Sequence, residues 1–153
     1  ASDVYKRQEL YKQRVAVNQK FAKEAASLRT ALAGRRTEIA DQVFLEAEQS
    51  LRSFTEKPEY QAFLSGSAAR CAALLPQGES AVLLVREADI PLADALRAAF
   101  GRPCEVRADA SIRIGGLKAS CEAKGLVADD TLDNRLQNQH GWFLEHAGLT
   151  LEQ

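Results

Sequence analysis

The sequence predicts an α+β protein: a long N-terminal helix of right-handed coiled-coil type, followed by a small domain whose helices pack on a mixed four-stranded sheet. Three observations carry this expectation. An apolar stripe runs from Leu10 to Phe54 at helical spacing. Short apolar runs separated by Gly-containing turns read as strands between about residues 80 and 130. Two further helical patterns, one after Pro58 and one after Asp129-Asp130, flank those strands. The expected division is a helical arm over residues 1–54 and an α+β domain over residues 55–153.

The stripe steps alternately by seven and four: Leu10, Val17, Phe21, Leu28, Leu32, Ile39, Val43, Ser50, Phe54. Only Ser50 is not apolar. Leu10, Phe21, Leu32, Val43 and Phe54 recur every eleven residues, and eleven residues in three turns is about 3.67 per turn, a period that favours a right-handed supercoil. A heptad alternative (Val4, Tyr11, Asn18, Ala25, Leu32, Ile39) places Asn18 and Ala25 in the seam and reaches Glu46 next, so it fits less well. The stripe could also lie on the chain's own domain. Yet a helix from Leu10 to Phe54 would be about 68 Å long at about 1.5 Å per residue, far beyond a small domain. Leu10, Val17, Phe21, Leu28, Leu32, Ile39 and Val43 are therefore expected to face a helix from outside the chain, or a second copy when the chain is isolated.

The net charge of −1 hides an asymmetry. Residues 1–36 carry nine Lys/Arg against three Asp/Glu, whereas residues 37–65 carry two against six. The basic residues are interleaved with the apolar stripe, which suits pairing with a more acidic helix and argues against a nucleic-acid surface. Cys71, Cys104 and Cys121 are odd in number and lack metal-ligand spacing, as expected of reduced thiols in a cytosolic protein. No run of 18 or more apolar residues is present, so any membrane association is expected to be indirect. The sequence has no Met and opens on Ala1. With the helical pattern already running near Val4, this suggests a truncated start or a joined-on leader, ASDVYKRQ.

Taken in order, the helical run crosses one weak point at Gly34, where a glycine costs about 1 kcal/mol relative to alanine. It ends at Thr55-Glu56-Lys57-Pro58, and Pro58 is placed to open a helix over about 58–74. Tyr60, Phe63, Leu64, Ala68, Cys71 and Leu75 fall on one face of that helix. Ala81 to Val85 reads as a central strand buried on both faces. Asp89 to Phe100 reads as a helix with Asp89 near its cap, Pro91 in its first turn and Gly101 just beyond its end. Pro103 to Arg107 is a short strand, expected to pair in parallel with Ala81–Val85. Ile112-Arg113-Ile114 leads through Gly115-Gly116 into a hairpin that turns at Lys124-Gly125. The last helix is expected over about 130–146, with Asp130 at its cap and Asp133 accepting from its free amides. Leu132, Leu136, Phe143 and Ala147 would face the core.

Catalytic and metal-binding patterns are weak throughout. His140 and His146 lie six apart on one helix, on different faces, so no shared metal site is expected. Gly115-Gly116-Leu117-Lys118-Ala119-Ser120 lacks the first glycine and the Gly-Lys-Ser/Thr ending of a phosphate loop. The glycine pair fits a bulge or a close backbone approach better. Asp129, Asp130 and Asp133 could hold a metal, but a helix start accounts for them with fewer assumptions. No catalytic residue, cofactor or metal is expected.

Ile114-Gly115-Gly116-Leu117, followed by Asp129-Asp130-Thr131-Leu132-Asp133-Asn134-Arg135-Leu136, resembles the C-terminal domain of the E subunit of the V/A-type ATPases, the rotary proton or sodium pumps. Arg35 or Arg36 followed by Val43-Phe44-Leu45-Glu46-Ala47, then Pro58-Glu59-Tyr60 with Leu64, resembles earlier blocks of that family. The similarity spans about residues 30–145. Asp130 stands where Asn is usual and Asp133 where Glu is usual, residues 66–107 match in pattern only, and the arm is shorter than the family's. The resemblance implies a non-enzymatic, cytoplasmic peripheral-stalk protein, held at the membrane only through its complex. Its helix would pair with the G-type stalk helix (H-type in archaeal forms) in a right-handed coiled coil. Its globular domain, with Gly115, Gly116, Asp129, Asp130, Thr131, Leu132, Asp133, Arg135 and Leu136 as structural motif, would hold the catalytic A/B hexamer, mainly at its B-type members and also at its A-type ones. Two alternatives remain: a stator-like regulator of a type III secretion ATPase, and a small-molecule-binding α+β module with a coiled-coil arm.

Overall fold

The computed structural model describes residues 1–149, with side chains described through His146. Helix α1 (Ser2–Phe54) is continuous through Gly34. The chain divides into two compact units, one over Ala1–Gln42 and a second from Val43 onward. In the first unit, apolar side chains recur at the eleven-residue period and stay open to solvent.

The second unit is α+β. After the last turns of α1 come α2 (Glu59–Leu74), β1 (Ala81–Val85), a 3-10 segment (Glu87–Leu92), α3 (Ala93–Phe100), β2 (Cys104–Ala108), β3 (Gly116–Cys121), a 3-10 turn (Glu122–Lys124), β4 (Leu126–Thr131) and α4 (Leu132–Leu149). The sheet order is β2-β1-β3-β4. β1 pairs in parallel with β2, from Ala81 opposite Cys104 to Val85 opposite Ala108. β3 is antiparallel to both β1 and β4. The mixed four-stranded sheet expected from the sequence is therefore present, with β1 and β2 parallel across their helical crossover.

The core gathers Leu64, Ala68 and Cys71 of α2, Leu83 and Val85 of β1, Leu96 and Phe100 of α3, Leu117, Ala119 and Cys121 of β3, and Leu132 at the start of α4. Leu51 and Phe54, at the end of α1, pack against it. Burying each large apolar side chain of this set stabilises the fold by about 1.5–3 kcal/mol. Among the described residues, no helix is long and apolar enough to cross a membrane.

Five local expectations are corrected. In β1 only Ala81, Leu83 and Val85 are buried, while Val82 and Leu84 are half-buried, so one face is sealed and the other partly open. The helix expected from Asp89 begins as a 3-10 segment containing Pro91, and α-helix follows only from Ala93. Asp89 caps neither, because its carboxylate is bound to Arg86 and Tyr60. Ile112 and Ile114 are buried but belong to no strand; Ile112 N bonds back to Asp109 O in a turn, and Ile114 N bonds to the Asp133 carboxylate. Asp130 lies inside β4, opposite Leu117, and α4 starts at Leu132. Phe143 is half-buried and meets Phe44 edge-on at 5.9 Å, outside the main core cluster; the Ala147 side chain lies outside those described.

Gly101 ends α3 as expected, in the left-handed region at φ 80°, where its N–H bonds back to Arg97 O.

Candidate functional site

Two features carry the residues singled out above. The first is the stripe of α1. Leu10, Val17, Phe21, Leu28, Leu32, Ile39 and Val43 are all exposed, from 46% at Leu32 to 72% at Phe21. Large apolar side chains on monomer surfaces are ordinarily scattered singly, and a contiguous apolar run marks an interaction surface. Ser50 is exposed, whereas Phe54 turns into the domain core. Local ion pairs such as Arg35–Glu38 dress the helix but contribute little each.

The second feature is a hub built on residues 113–116. Residues 113–115 do not bond as a strand, and Gly116 opens β3, so the polar main-chain groups of 113–115 must find partners elsewhere. Asp133, in the first turn of α4, supplies most of them. Its Oδ1 accepts from Arg113 N at 3.0 Å and from Ile114 N at 3.1 Å, while its Oδ2 accepts from Ile114 N and Gly115 N. Gly116 N donates to Tyr60 Oη of α2 at 2.8 Å. On the carbonyl side, Arg113 O accepts from Arg52 Nη1, Ile114 O from Arg86 Nη1, and Gly115 O from Leu132 N. Four separate parts of the chain (the end of α1, α2, the β1 exit and α4) are thereby tied to one short segment.

Both glycines are required by close approach. A Cβ on Gly115 would lie 2.6 Å from Tyr60 Oη and 3.0 Å from Thr55 Cγ2. Gly116 has φ 84°, and a Cβ there would meet Thr131 Cα at 2.7 Å.

Behind the hub, Tyr60 Oη donates to Asp89 Oδ2 at 2.9 Å, and Arg86 reaches Asp89 through Nε and Nη2, both at 2.9 Å. Asp89 is 2% exposed, so this pairing matters: an isolated buried carboxylate would be strongly disfavoured. Burial, with the Asp89 charge beside it, pushes the Tyr60 phenol up to about 12. The hydroxyl therefore stays protonated and can both donate and accept. An open cleft of about 590 Å³ beside these residues is lined in part by Thr55, Lys57, Gln61 and Arg86.

The Asp129-Asp130-Thr131 segment divides its tasks differently from the expectation. Thr131 is the cap: its Oγ1 accepts from Asn134 N at 3.1 Å. Asp129 Oδ1 in turn accepts from Thr131 N and Oγ1. Asp130, expected at the cap, instead takes Ser67 Oγ, Arg70 Nη2 at 3.0 Å, and Arg135 Nε and Nη2. Its alternating position in β4 aims it away from the helix start and toward α2. Burial opposes its charge, but the Ser67, Arg135 and Arg70 bonds outweigh burial and hold the carboxyl below its ordinary range. Asp133, expected to serve its own helix, serves the hub.

Gly115, Gly116, Asp130, Thr131, Leu132, Asp133 and Arg135 are thus brought together, with Leu136 packed against the core. Sequence reasoning misses Arg52, Ser67, Arg70, Arg86 and Asp89 as members of this constellation. The Arg86/Asp89 spacing of three is the available signal, since it allows pairing across one helical turn. His140 sits edge-on to Phe44, and His146 stacks on Trp142. No group of three or more His, Cys, Asp or Glu among the described residues is arranged to hold a metal ion. Cys71, Cys104 and Cys121 are free thiols, and burial pushes Cys71 up to about 11.

Compared with known protein families and with curated proteins, the chain matches none.

Proposed function

We propose that this chain is the E-type peripheral-stalk component of a rotary V/A-type ATPase. In this reading α1 pairs with a G- or H-type stalk helix in a right-handed coiled coil, and the α+β unit binds the catalytic A/B hexamer, chiefly at its B-type members. Its work is mechanical, holding the stator against rotation, and the membrane is reached only through the complex. The observation that carries the proposal is the stripe: an eleven-residue apolar period, on one continuous helix, with seven members open to solvent. The motif resemblance around Gly115-Gly116 and Asp129–Leu136 supports the same reading. So does the hub, because a stator domain needs elements that cannot shift past one another.

The test is capture of a G- or H-type stalk helix by the full chain, comparing Leu28→Asp with Lys20→Asp. Leu28 is 60% exposed in the isolated chain. Its burial on pairing would be worth up to about 1.5–3 kcal/mol, and a carboxylate in the seam adds a further penalty. Lys20 lies off the stripe, where an exposed charge pair contributes about 0–1 kcal/mol. Leu28→Asp should reduce capture at least about tenfold, with Lys20→Asp close to wild type. Equal capture by the two variants would remove the stripe as the interface.

A further inference from the structure

Phe63 of α2 is half-buried, with its ring packed on Phe54 at 5.8 Å and Tyr60 at 6.3 Å. Two guanidinium groups lie over that ring: Arg135 at 5.2 Å and Arg70 at 5.9 Å from its centroid. Both are also tethered to one carboxylate, Asp130. Arg70 commits only Nη2 to it, and Arg135 commits Nε and Nη2. Arg70 Nε and Nη1 and Arg135 Nη1 therefore meet no acceptor among the described residues. The Arg70 side chain is 53% exposed and that of Arg135 48%. Two cations thus share one anion, on a rigid aromatic base, with unused donors open to solvent.

We infer that Arg70 and Arg135, seated on Phe63, form a docking fork for an acidic side chain of a partner protein. Stacking and the shared Asp130 hold the guanidinium groups in place before any partner arrives, so less rotamer freedom is lost on binding. A carboxylate can span two guanidinium groups through charge-assisted bonds, and arginine and aromatic residues are the types that anchor interfaces. A protein carboxylate is favoured over a nucleic-acid backbone by the surrounding charge. Residues 66–153 carry nine Lys/Arg against twelve Asp/Glu, which would repel a polyphosphate chain but leaves room for one acidic residue on this fork. The inference concerns the α+β unit alone, so its outcome and that of the α1 capture experiment are independent.

The full chain is titrated with a blocked hexaglutamate peptide and followed by the NMR amide signals of Phe63 and Ser67, which separates this site from the basic residues of α1. Parallel titrations use hexaglutamine, inorganic phosphate and a thymidine hexanucleotide. Hexaglutamate should move both signals and hexaglutamine should not. The Arg70→Lys/Arg135→Lys pair keeps both charges but loses the planar fork, and should bind about three- to tenfold more weakly. Arg97→Lys, at the exposed pair with Asp94, should bind as wild type. Arg70→Lys alone removes a single bond to Asp130, so it provides a folded variant if the double change lowers the melting temperature. Unchanged affinity in both Lys variants would overturn the inference. So would phosphate or the hexanucleotide binding as tightly as hexaglutamate.

Discussion

Replacing Gly115 by alanine places a carbon 2.6 Å from Tyr60 Oη, well inside van der Waals contact. Tyr60 cannot simply swing away, because its hydroxyl accepts from Gly116 N at 2.8 Å and donates to Asp89 at 2.9 Å. Either the ring shifts and the buried Gly116 N–H loses its acceptor, at about 1–3 kcal/mol, or the overlap is absorbed as packing strain, at about 1–3 kcal/mol. Gly115→Ala should therefore destabilise the α+β unit by about 1–3 kcal/mol. Tyr60→Phe alone removes the hydroxyl and orphans the same amide, at about 1–3 kcal/mol. It also removes the atom that the new methyl strikes. In the double variant the next neighbours are Thr55 Cγ2 at 3.0 Å and the Tyr60 ring carbon Cζ at 3.3 Å, contacts that small shifts relieve. Gly115→Ala should thus cost at least about 1 kcal/mol less in the Tyr60→Phe background than in wild type. Amide hydrogen exchange in β1 and β3 across a urea series reads this unit without interference from α1. Strict additivity of the two changes would mean that Tyr60 is not what demands glycine at 115. Gly116→Ala provides the contrast, since its Cβ would strike main-chain atoms of Thr131, Asp130 and Leu132, which Tyr60→Phe leaves in place.

Three further outcomes can be checked. Gly34→Ala adds a Cβ that meets nothing within 4 Å and should stabilise α1 by up to about 1 kcal/mol, seen as a higher melting temperature in the far-ultraviolet circular dichroism of the helix. Thr131→Ala should cost about 0.5–2 kcal/mol through loss of the Asn134 N–H cap, measured as a lower urea midpoint for α4 exchange; no change there would place the cap elsewhere. Asp130 has a carboxyl held below its ordinary range, so its contribution is present above the unfolded value of about 4 and is lost as pH falls through the lower folded value. Asp130→Asn should flatten that part of an acid-unfolding curve, and an unaltered slope would exclude Asp130 as a source of acid sensitivity.

Periodicity exposes what depends on local spacing. The α1 stripe, the α2 face from Tyr60 to Cys71, the apolar run of β1 and the Gly101 stop follow from side-chain period and main-chain conformational limits. They need no knowledge of distant contacts. The errors cluster where a polar side chain has several possible takers. Asp130 and Thr131 are both good cap residues, and only the strand alternation of β4, which points Asp130 at Arg70 and Arg135, gives the cap to Thr131. Asp89 and Asp133 both read as partners of nearby helix starts, the default for an acidic residue before an apolar run. In the fold they are used by groups far away in sequence: Asp89 by Tyr60, and Asp133 by the amides of 113–115. The Gly-Gly pair signals a close backbone approach, but not that a tyrosine hydroxyl and the β4–α4 junction are what approaches.

The hub also dictates an order of assembly during synthesis. Residues 113–116 leave the ribosome after Arg52, Tyr60 and Arg86 but before Leu132 and Asp133. Until the start of α4 has emerged, the amides of Arg113, Ile114 and Gly115 have only water to bond, and the Gly115 carbonyl lacks its donor. The hub's contacts range in span from 17 residues, between Gly115 and Leu132, to 61, between Arg52 and Arg113. Closing contacts of that span is entropically slow. The segment thus acts as a late step for the domain: α2, β1 and α3 can make their apolar contacts earlier, and the loop gains these bonds only once the first turn of α4 is present. A chain cut short before Asp133 would keep most of its apolar core yet hold the loop open. The first turn of α4 is thus what completes the hub.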